Sequence, residues 1–355
     1  MDKRRLSRSG SGSSSGRLGA VLVVLGLLAV GAFAWRVVFA SDPSGAAAAP
    51  PPGTASQHQQ PAPAQRPDGD TADTADTGGT GGTGGTEKNE KGEKPGRSAA
   101  APSRSRAVYL GDSLAMENQD VLAKLVKDSG RATLRSAPHS GTTLCDYLEG
   151  RRERSLVPPQ HKAAALVREE RPQVVVLQFW GNSWGYTPCM GTVGSGTPAY
   201  YERYAADARA LTEQIASAAR EAGIPRPKLV WVLQGPDAMS PDRIRRVNGV
   251  YTAQASAAGD LTADAGARVS RAGDRYTYVE SLPCTAYERA HPAYCTGGDT
   301  TRLHRDDDYL HFCLAATTKN SQPCPVRSPG VLRYCQAIAA TVDRHLAAVA
   351  AAKES

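Results

Sequence analysis

Apolar and polar residues follow a regular pattern only from about residue 105 onward. Short apolar runs predict β-strands at 107–110, 132–135, 174–179, 229–233 and 276–279. Longer stretches with helical start and stop signals predict helices at 116–128, 160–170, 199–222, 241–258 and 329–351. Strands that alternate with helices indicate an α/β domain over residues 105–355, with a doubly wound, mostly parallel sheet.

The first 40 residues have a different pattern, typical of a membrane segment. Residues 1–17 are basic, and residues 18–35 form an uncharged apolar run that resumes after Arg36. Such a run is just long enough to span the hydrocarbon core, and the basic flank predicts that the N-terminus lies inside. We therefore expect a basic cytoplasmic arm over 1–17 and a transmembrane signal-anchor helix over 18–40. The alternative is a signal peptide with a small-residue cleavage site at 32–34.

Residues 41–104 are rich in Ala, Pro, Gly and Thr and contain repeats of Thr-Ala-Asp and Gly-Gly-Thr. Such a composition cannot bury enough apolar surface to offset the entropy lost on ordering, so we expect a disordered linker. The whole chain has a formal net charge of +7, part of it in the N-terminal arm. Because basic residues are nowhere clustered with aromatic ones, the sequence does not indicate nucleic-acid binding.

A candidate nucleophile stands where the first predicted strand meets the first predicted helix. The apolar run stops at Gly111, and Asp112 and Ser113 follow. A serine in this turn lies at the carboxyl end of a strand, where open α/β sheets bind ligands. It also lies at a helix N-terminus, where free backbone N–H groups favour negative charge. Ser113 is therefore placed as a nucleophile would be; the alternative is that Asp112 or Ser113 merely caps the helix.

A serine nucleophile needs a base and an orienting carboxylate. Asp308 and His311 form the only Asp-x-x-His sequence in the chain. Between Ser113 and this pair lie Ser-Gly-Thr at 140–142 and Gly-Asn-Ser at 181–183, each close to a predicted strand. The four segments together predict a hydrolytic site more specifically than any one of them does.

These segments, in this order, resemble the motif blocks of the SGNH (GDSL-type) hydrolases, and the resemblance covers residues 106–355. It implies a flavodoxin-like, doubly wound sheet of five strands flanked by helices. It also implies that Ser113 attacks an acyl carbonyl, that His311 takes up and returns its proton, and that Asp308 orients the imidazole ring.

The resemblance further implies an oxyanion hole. Its donors would be the backbone N–H groups of Ser113 and Gly141 and the side-chain amide of Asn182. Gly141 could instead be an ordinary turn glycine. The family usually has an Asp soon after this Asn, whereas this chain has Ser183 and Trp184, so the hydrogen bonds that support Asn182 are open.

Three aromatic residues flank Asn182 and are candidates for substrate binding: Trp180, Trp184 and Tyr186. At the rim of a pocket they could stack on a sugar or hold an acyl chain. The alternative is that they pack the loop.

All seven cysteines lie in the α/β domain, and none forms a Cys-x-x-Cys sequence. In an exported protein they indicate disulfides. The pairings that we expect are Cys284–Cys295 and Cys313–Cys324, which would close short loops, and Cys145–Cys189, which would join the oxyanion-side loops and leave Cys335 unpaired. The sequence does not fix this connectivity, and buried reduced cysteines are the alternative.

The resemblance and the expected topology together imply a membrane-anchored, extracytoplasmic serine esterase. It would hydrolyse acyl esters, acetyl esters among them, on a cell-envelope glycan or lipid. An O-acyltransferase acting on envelope polysaccharide would use the same residues, and a non-catalytic binding or scaffold module on the same fold is a further alternative. We expect no cofactor, no metal site and no nucleic-acid partner, and a monomeric catalytic domain. Cleavage of the signal would make the protein secreted.

Overall fold

The computed structural model describes residues 104–150, 154–182, 187–317 and 320–355. The expected cytoplasmic arm, the signal-anchor helix and nearly all of the linker therefore lie outside the described residues. Within the described ranges, no helix is both long enough and apolar enough to cross a bilayer.

Five parallel strands form the central sheet in the order β2-β1-β3-β4-β5. They are β1 Ser105–Gly111, β2 Ala132–Ser136, β3 Val174–Gln178, β4 Lys228–Val232 and β5 Leu261–Ala263. This order confirms the predicted doubly wound, flavodoxin-like fold. The order reverses between β1 and β3, so the loops after these two strands border the crevice in which such sheets bind ligands. A short antiparallel pair follows: β6 Ser281–Pro283 and β7 Thr300–Arg302.

All five predicted helices are confirmed, and a short sixth one is present in the described residues. They are α1 Ser113–Asp128, α2 Ala163–Glu170, α3 Pro198–Glu221, α4 Pro241–Ala258, α5 Ala286–Ala290 and α6 Pro329–Glu354. Pro occupies the first turn of α3, α4 and α6, where its missing N–H would be unsatisfied in any case. The sequence signals for these helix starts were therefore strong.

Four of the five predicted strands are confirmed, but the fifth was wrong. The segment 276–279 forms no strand, and the fifth strand is Leu261–Ala263, which pairs with β4. Helix α4 ends at Gly259 in the left-handed conformation (φ 64°), and the Asp260 side chain then accepts a hydrogen bond from the Leu229 backbone N–H at 3.1 Å. The chain thus enters the sheet at once, in a strand too short to produce a recognisable pattern.

The two faces of the sheet bury alternate residues of each strand, as a doubly wound sheet requires. Val108 and Leu110 of β1 pack in one apolar cluster with residues of α2, α3 and α4. Ala107 and Tyr109 pack in a second cluster with residues of α1 and α6. Helices α1 and α6 thereby lie beside each other on this face of the sheet and pack against each other.

Three disulfides form in the pairing expected from the sequence: Cys145–Cys189, Cys284–Cys295 and Cys313–Cys324. Cys335 is free and buried in the core. The first disulfide connects the segment after β2 to the segment after β3, which are the loops that carry Gly141 and Asn182.

Gly111, the last residue of β1, lies against the end of β3. A Cβ atom at this position would stand 2.2 Å from the Gln178 carbonyl oxygen and 2.4 Å from the Ala115 Cβ. Only a residue without a side chain allows the two strand ends to approach this closely. The glycine before Asp112 is therefore a packing requirement of the sheet.

We expect Gly111→Ala to destabilise the protein by about 4 kcal/mol or more, because backbone atoms must move to relieve the clash. The matched control is Gly249→Ala. Gly249 lies on the exposed side of α4 with nothing within 4 Å of a new Cβ, so this change should stabilise by about 0.5–1 kcal/mol. Urea unfolding of both variants measures the two effects. Equal stability of Gly111→Ala and the unaltered protein would contradict the close approach.

Candidate active site

Ser113 is the first residue of α1, and Asp112 is the residue that caps this helix. The Asp112 Oδ1 accepts a hydrogen bond from the Leu114 backbone N–H at 3.1 Å. Helix capping and placement as a nucleophile were the alternatives for this turn. In the structure Asp112 caps the helix, and Ser113 keeps the position expected of a nucleophile. Because Asp112 supplies the cap, the Ser113 hydroxyl is available for another partner.

That partner is His311. Its Nε2 lies 2.9 Å from the Ser113 Oγ, and its Nδ1 lies 2.9 Å from Oδ2 and 3.2 Å from Oδ1 of Asp308. Ser113 and His311 are 198 residues apart in sequence. The structure thus brings the three predicted catalytic residues into one hydrogen-bonded series at the carboxyl edge of the sheet.

The loop fixes the Asp308 carboxylate as well as the ring. Its Oδ1 also accepts the backbone N–H groups of Leu310 and His311, each at 3.0 Å, and Arg305 lies 3.2 Å from its Oδ2. The two neighbouring carboxylates are engaged elsewhere, because Asp306 pairs with Arg302 and Asp307 pairs with Arg305. Asp308 alone of the three faces the histidine.

The charges around His311 favour its protonated form. Burial acts to lower the pKa of the imidazole, but the hydrogen bond to Asp308 and the charge of Glu117 outweigh burial and raise that pKa above its usual value. Burial acts to raise the pKa of Asp308, yet the hydrogen bonds and charge of His311 hold it well below its usual range. Asp308 therefore stays ionised while the ring accepts a proton.

Asn182 lies beside the loop that follows β2, as the resemblance implies. Its side-chain Nδ2 donates to the Thr142 carbonyl oxygen at 3.0 Å and makes a longer contact of 3.4 Å to the Asp112 Oδ2. Gly141 immediately precedes Thr142 and has a φ of 74°, a left-handed conformation that glycine adopts without strain. The structure thus brings the three predicted oxyanion segments together around Asp112.

Asp112 is the residue whose role sequence reasoning underestimated. It is fully buried, and its Oδ2 accepts the Trp180 backbone N–H at 2.6 Å. Burial raises the pKa of this carboxyl to about 6, against hydrogen bonds from Trp180 and Leu114 that act to lower it. Asp112 thereby joins the turn of Ser113 to the loop after β3, whereas the shorter bond that supports the Asn182 amide comes from the Thr142 carbonyl oxygen.

The candidate substrate-binding aromatics have different outcomes. Trp180 is buried, and the Arg243 guanidinium stands 3.7 Å from the centre of its ring, which favours the packing alternative for this residue. Trp184 and Tyr186 lie outside the described residues. Arg243 also donates to the Gly181 carbonyl oxygen at 3.0 Å and pairs with Asp237 at 2.8 Å. No sequence motif singled out this arginine.

One grouping of potential metal ligands occurs in the described part of the chain. Cys145, Asp146 and Cys189 have their ligand atoms within 4.8 Å of one another. The two sulfur atoms are joined in a disulfide, and the Asp146 carboxylate accepts the backbone N–H groups of Thr143 and Leu156. These bonds account for the grouping as structural.

The solved structures that match this chain include the following three. A lipase/acylhydrolase from Enterococcus faecalis is 16% identical, with 68% of this chain and 96% of that chain covered and a TM-score of 0.36. A GDSL-like lipase from Bacteroides thetaiotaomicron is 13% identical, with 69% of this chain and 89% of that chain covered and a TM-score of 0.36. An acetylxylan esterase from Geobacillus stearothermophilus is 12% identical, with 66% of this chain and 92% of that chain covered and a TM-score of 0.35. No family model and no curated protein matches the sequence. The fold itself rests on the strand order of this chain.

We expect Asp112 to make stability depend on pH. Its pKa is about 6 in the folded protein against a usual value of 3.8, so the stability that it contributes is full below about pH 3.8 and is lost as pH rises through 6. The free energy of unfolding of the unaltered protein, minus that of Asp112→Asn, should fall by roughly 2 kcal/mol between pH 4 and pH 7. Urea unfolding of both proteins across this range measures it. A difference that does not change with pH would contradict the raised pKa.

Proposed function

We propose that the chain is a serine esterase that hydrolyses acyl esters through an acyl-Ser113 intermediate. The observation that carries this proposal is the hydrogen-bonded series from the Ser113 Oγ to His311 and on to Asp308, with both links at 2.9 Å. The same constellation on unrelated folds performs acyl transfer, because an alcohol becomes a good nucleophile only when a base removes its proton.

In the first half of the reaction, the Ser113 Oγ attacks the carbonyl carbon while its proton passes to the His311 Nε2. The imidazolium is stabilised by Asp308 and returns the proton to the leaving alcohol. In the second half, His311 takes a proton from water, the hydroxide attacks the acyl group, and the proton returns to Ser113. Both halves pass the proton through the His311 Nε2, while the Nδ1 keeps its hydrogen bond to Asp308.

The oxyanion that forms in each half needs donors in place before the reaction. The proposed donors are the backbone N–H groups of Ser113 and Gly141 and the Nδ2 of Asn182. One Asn182 amide hydrogen is engaged by Thr142 at 3.0 Å, whereas the other has only the 3.4 Å contact to Asp112. This second hydrogen is the less engaged of the two and is the proposed donor to the oxyanion.

We further propose that the domain acts outside the cytoplasm, on an O-acylated glycan or a lipid ester of the cell envelope. The three disulfides support this location, because such bonds persist in oxidising compartments. The apolar run at 18–40, if it is a signal anchor, would keep the enzyme at the membrane with its N-terminus inside, and cleavage would release it. An O-acyltransferase would need a sugar hydroxyl in place of water. Turnover of an ester without any added sugar acceptor would therefore support the hydrolase over the transferase.

We expect Ser113→Ala to abolish labelling by a fluorophosphonate probe and to lower turnover of p-nitrophenyl acetate by about 10³-fold or more. The matched control is Ser256→Ala, at an exposed serine of α4, which should leave both unchanged. The full chain, produced under oxidising conditions, is the protein to assay. Turnover that survives in Ser113→Ala would refute the nucleophile, and a folded but unreactive protein would favour the binding-module alternative.

We expect kcat/KM to fall as pH is lowered through the pKa of His311, because only the neutral ring can act as a base. Since Asp308 raises that pKa, Asp308→Asn should move the fall to lower pH and also reduce kcat, by up to about 10⁴-fold. Asp306→Asn removes an exposed carboxylate of the same loop and is the control. Identical pH profiles for Asp308→Asn and the unaltered protein would show that Asp308 does not act on His311.

A further inference from the structure

Glu117 attaches the loop that follows His311 to the nucleophile helix. The backbone N–H of Cys313 donates to the Glu117 Oε2 at 3.2 Å, and the Thr317 hydroxyl donates to its Oε1. The backbone N–H of Cys324 donates to the Glu117 carbonyl oxygen at 3.1 Å. Cys313 and Cys324 are joined by a disulfide, so Glu117 binds both ends of the loop that the disulfide closes.

Glu117 stands one helical turn after Ser113, on the same side of α1. Cys313, which it binds, stands two residues after His311. Ser113 is thus connected to Glu117 by one turn of helix, and His311 is connected to it by two residues of chain and one hydrogen bond. Any shift of the loop relative to the helix would change the distance between Ser113 and His311.

The charge of Glu117 needs an explanation beyond these bonds. The side chain is 2% exposed, and burying a carboxylate is unfavourable unless a charge compensates it. The two groups that donate hydrogen bonds to its side chain are the Cys313 backbone N–H and the Thr317 hydroxyl. Both are neutral, and a glutamine oxygen could accept a hydrogen bond from either of them. Burial raises the pKa of Glu117, whereas the protonated His311 ring and the hydrogen bonds from Thr317 and Cys313 act to lower it. Arg305 is a second cation that acts on Glu117.

We propose that Glu117 is a positioning residue that holds His311 against Ser113 through the disulfide loop and whose charge stabilises the imidazolium formed in each half of the reaction. This inference rests on the proposed esterase function and adds a second carboxylate to its machinery. A residue that only held the loop would need a hydrogen-bonding group at each of the two oxygen positions but not the charge, and this difference can be measured.

Several groups besides Glu117 set the proton affinity of His311. Asp308 and Asp112 act in the same direction as Glu117, whereas burial acts against them. The Nδ1 of buried His304 bonds the His311 carbonyl oxygen at 3.0 Å, and Arg305 pairs with Asp308. Removing the Glu117 charge therefore leaves the other groups in place and should lower the pKa of His311 without abolishing its function.

Two variants separate charge from attachment. Glu117→Gln removes the charge but can keep both contacts, because its oxygen can accept from Cys313 while its NH2 group donates to the Thr317 hydroxyl. Thr317→Val keeps the charge and removes one bond between loop and helix. With p-nitrophenyl acetate and the full chain, we expect Glu117→Gln to lower kcat by about 10- to 100-fold with little change in KM, and to move the acid limb of the pH profile to lower pH. Thr317→Val should lower kcat severalfold and leave that limb where it is.

Asp120→Asn is the matched control, because it removes an exposed carboxylate from the same helix; its kcat and pH profile should equal those of the unaltered protein. Unchanged kcat and an unchanged acid limb in folded Glu117→Gln would overturn the proposal. If Glu117→Gln does not fold, unchanged kcat in Thr317→Val overturns it instead. An inactive unaltered protein would refute the esterase function itself, which is a different outcome.

Discussion

The site depends first on a buried carboxylate, that of Asp112, at the point where β1 ends. Its two oxygens accept hydrogen bonds from Leu114 in the nucleophile helix and from Trp180 in the loop after β3, and it touches the Asn182 amide. Burying this carboxyl disfavours its charged form, which is why its pKa rises to about 6. Only a complete set of donors offsets that burial, so the helix and the loop are tied to one geometry.

The fold could be predicted where a strand or helix is long enough to show its own pattern. The run at 174–177 is apolar throughout and became the buried strand β3, and the proline-started helices were found almost to the residue. β5 has three residues and is specified by its neighbours, through the turn at Gly259 and the bond from Leu229 to Asp260. The run at 276–279 has a higher β-propensity than the residues of β5 but pairs with no strand in the described residues. A prediction based on β-propensity alone was therefore wrong here.

The residues of the candidate site that lie in the four motif segments could be predicted from the sequence. Ser113, Asp308 and His311 were singled out because the order of the four motif segments resembles that of the hydrolase family, and the structure brings these three residues together. Glu117 and Arg243 were missed because each acts through contacts between segments remote in sequence, 196 residues apart for Glu117 and Cys313. A glutamate on a helix and an arginine on another look like ordinary surface charges until tertiary structure buries them.

The first two turns of α1 therefore serve both sides of the reaction. Asp112 binds the loop after β3, Ser113 is the proposed nucleophile, and Glu117 binds the loop of the proposed base, all within six residues of chain. Further along, Leu122 and Val126 pack in the same apolar cluster as residues of α6, so the position of the helix is set by the core. Because loops are the more mobile part of a fold, attaching two of them to one core-packed helix is what can keep the Ser113–His311 distance constant.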